Sequence, residues 1–84
     1  MHETVFAKDA IRIAKQKLIE SEKGSKVVKI NVVLSKKSHV SPETLKSTFQ
    51  MHAKGTPFEN VNLEIDSQDN PEKEFYVKSI EVEK

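Results

Sequence analysis

The stretch KVVKINVVL at residues 26–34 constrains this chain more than any other. It is rich in β-branched residues, whose stiff side chains suit a pleated surface. Val28, Ile30, Val32 and Leu34 alternate onto one face, as a strand with one buried side requires. Such a strand needs partners beside it and a covering layer on its apolar face. Upstream, residues 4–23 place Phe6, Ala7, Ala10, Ile11, Ile13, Ala14 and Leu18 within about half of a helical circumference. Lys8, Arg12, Lys15 and Glu20 fall mostly on the other side, and Gly24 is the residue expected to stop the helix.

Downstream, SKKSHVSPETLKSTFQMHAKG opens with a polar turn. Ser41 then reads as a helix N-cap and Pro42 as the first helical residue. Leu45, Phe49 and Ala53 form a buried stripe at four-residue spacing, and Gly55 is placed to end the helix. ENVNLEI turns Val61, Leu63 and Ile65 inward and Asn60, Asn62 and Glu64 outward, the pattern of a half-exposed strand. DSQDNPEK, residues 66–73, has turn formers, charge and no apolar residue, and reads as a surface loop. EFYVKSIEVE closes the chain as a strand whose apolar phase slips between Val77 and Ile80, which points to a bulge near Lys78 and Ser79 or to a strand covered on both faces.

The order is therefore αβαββ, an α/β (α+β) fold in two layers: a three-stranded mixed sheet covered on its apolar face by two helices, in one domain over residues 1–84. The first two strands, bridged by a helix, should be parallel if adjacent. The last two are joined by a loop short enough for an antiparallel pair.

Composition narrows the function. Eighty-four residues suffice for one modest core, and no apolar run approaches the ~18 residues of a membrane span. Fourteen basic residues against thirteen acidic ones give a net charge of +1, without the electrostatic footprint of a nucleic-acid binder. The absence of cysteine excludes disulfides, thiolate catalysis and cysteine-based zinc sites. The start carries neither a secretory signal nor a lipidation motif, so the reading is a cytoplasmic protein with no membrane partner. Gly24 and Gly55, the only glycines, are both explained as helix caps, which leaves no Gly-rich phosphate loop. SHVS offers no oxyanion site and no third residue at an interpretable spacing, so the chain is read as non-enzymatic. Lys36 and Lys37 could touch phosphate, but no aromatic residue interleaves with them, and a solvated turn accounts for them.

His2, His39 and His52 have no metal-ligand spacing among themselves, and His39 and His52 read as surface residues. His2 differs because the backbone adds donors. The Met1 amine, which deprotonates at about pH 7.7 to 8, the amide nitrogen between Met1 and His2, and the imidazole can close fused chelate rings round one ion. Such an all-nitrogen set favours square-planar Ni(II) or Cu(II) over zinc. Glu3 could complete it with its carboxylate or its own backbone nitrogen. The same residues also read as a frayed start whose Glu3 complements the helix dipole.

MHE at residues 1–3, KVVKINVVL, VSPETLKSTF, GTPFENVNLEI and the terminal SIEVE together resemble the HypA/HybF family of nickel-incorporation proteins, and these stretches cover most of the chain. The resemblance implies a metallochaperone that holds nickel transiently and delivers it for nickel–iron hydrogenase maturation. It carries over Met1, His2 and Glu3 as ligands. His39 is added as a further candidate, from its place in the turn where the family has an acidic site nearby. Implied partners are a HypB-like maturation GTPase and a hydrogenase large subunit. The family's zinc domain, with two CxxC pairs, is inserted between the last two strands; here that interval is the cysteine-free loop 66–73, so no zinc is expected. Ser35-Lys36 stands where relatives usually have Gly-Glu, and Ser41 where many are acidic. A second reading follows from these departures: a metal-independent protein-interaction module that retains only the scaffold. Both readings expect the helix to begin immediately after the tripeptide.

Overall fold

A computed structural model describes residues 2–84. The elements run α1 (His2–Glu20), β1 (Lys26–Ser35), α2 (Pro42–Ala53), β2 (Asn62–Gln68) and β3 (Phe75–Glu83). They build one mixed sheet of order β2-β1-β3, with β1 parallel to β2 and antiparallel to β3.

The last two strands therefore do not pair with each other; β1 lies between them. The reason is visible in β1 itself. It carries buried Ile30, Val32 and Leu34 toward the helices, and also Val33, fully buried on the other side in register with Asp66 and Tyr76. A strand apolar on both faces gains most at the centre of a sheet. The outer strands alternate with polar residues and tolerate an edge.

Two register shifts separate β1 from β3. At the first, Val27 pairs with Val82 and Lys29 with Glu81, leaving Val28 as the extra residue. Val27, not Val28, thus joins the core, because a bulge inverts the inward and outward alternation beyond it. At the second, Asn31 pairs with Ser79 and Val32 with Val77, which leaves Lys78 as the extra residue, at the expected phase slip.

Helix α1 ends at Glu20, before the expected stop at Gly24. Ser21 ends it: its hydroxyl donates to the Lys17 carbonyl at 2.8 Å. Gly24, at φ +90°, serves instead as the third residue of the turn closed by the Ser25 N–H to Glu22 carbonyl bond. Helix α2 starts as its sequence requires. Ser41 is extended, its Oγ accepts from the Thr44 N–H at 3.1 Å, and Pro42 follows. Gly55, at φ +80°, sits just past the Lys54 cap.

Strand β2 runs three residues beyond ENVNLEI, since Asp66, Ser67 and Gln68 pair with Val33, Leu34 and Ser35. The ladder satisfies backbone groups whatever the side chains are, so the expected loop 66–73 becomes loop 69–74. It passes over the end of β1, where Lys36 N–H donates to the Gln68 carbonyl and Ser35 N–H to the Glu74 carbonyl, both at 2.8 Å.

The core lies between helices and sheet. Ala7, Ala10 and Ala14 let α1 approach closely, and Leu45, Phe49 and Ala53 project from α2. Phe58 plugs the same core from the turn between α2 and β2, and Val40 from the turn before α2. Among the described residues no helix is long and apolar enough to cross a membrane.

Candidate functional site

The helix does not begin after the tripeptide. His2 and Glu3 are themselves the first residues of α1, and Met1 lies outside the described residues. His2 is exposed and Glu3 half-exposed, so both side chains emerge at the solvent-facing end of the helix. The first four N–H groups of a helix have no intrahelical acceptor, and those of His2 and Glu3 are among them. The Glu3 carboxyl is held below the usual glutamate range, first by hydrogen bonding with the chain's terminal ammonium and then with its own backbone N–H. Burial acts weakly in the other direction, and the charges of the ammonium and of His2 add to the lowering.

The His2 imidazole is not loose. Its ring lies 6.2 Å from that of Phe6, centroid to centroid, with the planes at 83°, an edge-to-face contact between residues one turn apart. Phe6 in turn stacks on Phe75 at 4.6 Å and 10°. Phe75 opens β3 in register with Leu34 of β1. Three rings therefore run from the exposed end of α1 to the sheet. The His2–Phe6 step was readable as an i, i+4 pair. Phe75 carried no local signal, because the fold alone brings residue 75 beside residue 6.

His39 is exposed in the turn before α2 and lines a shallow depression with Ser35, Lys36, Ser38, Ser41 and Ser67. That depression holds neither His2 nor Glu3 and no carboxylate. The side chains of Ser35 and Ser41 are engaged locally. Ser35 Oγ accepts from the Lys37 N–H at 3.1 Å, and Ser41 caps α2. His52 lies in the last turn of α2, where a cation complements the helix dipole. Among the described residues no group of three or more His, Asp or Glu side chains converges as a metal cage.

A groove between α1 and β3 is lined by Ile13, Val77 and Ile80, with Arg12, Lys17 and Lys78 at its rim. Ile13, expected on the core face, sits at the edge of the apolar stripe and faces this groove. The groove includes none of the candidate ligands.

The family model described as "HypA: Hydrogenase/urease nickel incorporation, metallochaperone, hypA" matches residues 1–71. The match takes in α1, β1, α2 and β2 and stops at Pro71, within the loop before β3. No curated protein matches the chain.

Proposed function

The chain belongs to the HypA family of hydrogenase and urease nickel-incorporation metallochaperones, and from that premise we propose that it captures Ni(II) as cargo at Met1, His2 and Glu3 and passes it to a partner during nickel–iron hydrogenase maturation. The observation that carries this reading is that α1 starts at His2. The amides needed for chelation lie in the first turn, outside the backbone i→i−4 ladder, so deprotonating them leaves that ladder intact. The roles divide accordingly. The Met1 amine and the His2 imidazole supply two neutral nitrogens, the His2 amide nitrogen joins them in fused rings, and Glu3 offers a carboxylate or a second amide nitrogen. A square plane of nitrogens suits Ni(II) or Cu(II) rather than zinc.

An exposed site on one helix end suits transfer, because a partner can reach the ion without unfolding the carrier. The partners proposed are a HypB-like GTPase and a hydrogenase large subunit. Loop 69–74 takes the place of the family's zinc module in this reading, and no resident zinc is assigned. The end of the family match at Pro71, inside that interval, supports this placement. His39 is retained only as a further ligand that would require the turn before α2 to reach the bound ion.

Capture requires the amine and imidazole without their protons, so Ni(II) affinity should rise from about pH 6 to 8. Calorimetric titration of Ni(II) into the untagged chain and into His2→Ala tests the assignment. The variant should lose most of the binding, and equal binding by the two would place nickel elsewhere. The scaffold-only reading draws on the loss of acidic residues at Lys36 and at Ser41, which caps α2, and on the missing zinc insertion. It requires partner capture in a pull-down to survive both His2→Ala and a chelator.

A further inference from the structure

We propose that Phe6 and Phe75 are positioning residues that hold the His2 imidazole ready for the ion, a proposal that rests on His2 being a nickel ligand. A histidine at the exposed start of a helix would ordinarily sample several rotamers, and the first turn would fray. Two contacts oppose this. Long helical side chains lean back toward the N-terminus, so Phe6 reaches over the turn that carries His2 and meets its ring edge-to-face at 6.2 Å. Phe6 is itself held against Phe75 at 4.6 Å with nearly parallel planes. Phe75 belongs to the sheet, in register with buried Leu34. The orientation of an exposed imidazole is thereby referred to the rigid centre of the domain.

The chemical effect is preorganisation. Immobilising a free side chain when a ligand binds weakens binding by about two- to tenfold, and a ring already held in place avoids part of that loss. One of the two supporting rings comes from β3, beyond residues 1–71 of the family match. The strand that follows loop 69–74 therefore shapes a site at the other end of the chain.

The test uses the full untagged chain and four variants. Phe6→Leu and Phe75→Leu keep apolar bulk but remove a ring, Phe75→Tyr keeps the ring, and His2→Ala removes the ligand. In nickel-free protein, the His2 ring-proton resonances should be displaced by the ring current of Phe6, and Phe6→Leu should return them to ordinary imidazole positions. Ni(II) affinity by calorimetry should fall about two- to tenfold in Phe6→Leu. The fall should be smaller in Phe75→Leu, which acts through Phe6, and affinity should recover in Phe75→Tyr. Thermal melts establish that each variant is folded at the titration temperature. Undisplaced His2 resonances in the wild-type chain overturn the proposal without any variant. Unchanged or increased affinity in folded Phe6→Leu also overturns it, the second result meaning that the contact parks the imidazole away from the ion. Equal Ni(II) binding by wild type and His2→Ala removes the nickel assignment and this proposal with it. Loss of binding in His2→Ala with full binding in Phe6→Leu and Phe75→Leu leaves the assignment standing and removes only the positioning role.

Discussion

Replacing Phe58 with alanine should cost about 3–5 kcal/mol of folding stability. Phe58 lies in a turn between α2 and β2, outside any helix or strand, yet it is 2% exposed. A buried aromatic side chain removes roughly 150–250 Å² from water, worth about 4–6 kcal/mol at ~25 cal/mol per Å². The methyl retained by alanine and a denatured chain that is already partly compact reduce that figure. A domain of this length holds about 4–13 kcal/mol in total, so this one change should consume a large share of it. The turn is built to present the ring: Thr56 Oγ1 accepts from the Phe58 N–H at 3.1 Å, and the Phe58 carbonyl accepts from the Val61 N–H at 3.1 Å. Urea unfolding followed by circular dichroism would read the loss as a lower midpoint at unchanged slope. The melting temperature should fall by at least about 12 °C. Met51→Ala, at a residue 65% exposed, is the control and should stay within about 0.5 kcal/mol. A loss below about 1 kcal/mol for Phe58→Ala would refute the reasoning, since the turn would then be able to swing away without consequence for the core.

Val27→Ala should cost about 2 kcal/mol and Val28→Ala less than half of that, because the bulge turns Val27 into the core; equal losses in urea melts would place the bulge elsewhere. Ser41→Ala should remove about 1 kcal/mol by leaving the Thr44 N–H without its cap, while Ser41→Asp should be close to neutral in the same assay. The Glu3 carboxyl is lowered in the fold, so its contribution to stability is fully present above the ordinary glutamate value and is lost as pH falls through the lowered one. An NMR titration of the Glu3 side chain should accordingly give a midpoint below that of an unstructured glutamate, and a midpoint at or above it contradicts the contact with the terminal ammonium.

What was legible in the sequence was whatever periodicity or local chemistry encodes. Leu45, Phe49 and Ala53 at four-residue spacing and Ser41-Pro42 before them located α2 and its first residue. The slip between Val77 and Ile80 located a bulge. Val28 was misread because the β1 pattern VV offers two residues of equal hydrophobicity, and only pairing with β3 decides which faces inward. The strand order stayed open in the sequence, because loop length alone cannot distinguish a hairpin from a crossing over the end of one intervening strand. Phe58 and Val40 sit in turns, where no period marks burial. At the candidate site, His2 and Glu3 were visible as residue types, whereas the stack of Phe75 on Phe6 exists only once residues 6 and 75 have been brought together.

The crossing of loop 69–74 over the end of β1 has one more consequence. Its two ends are tied to the end of β1 through the backbone bonds from Lys36 N–H to Gln68 and from Ser35 N–H to Glu74. They stand about two strand spacings apart, roughly 10 Å. Each doubling of a flexible segment adds only about 0.6 kcal/mol to the entropy of closing it, so an eightfold longer connection would cost about 2 kcal/mol. The sheet thus works as a socket with two fixed pins. What is spliced between them can range from a short turn to a folded module while Phe75 still returns to Phe6.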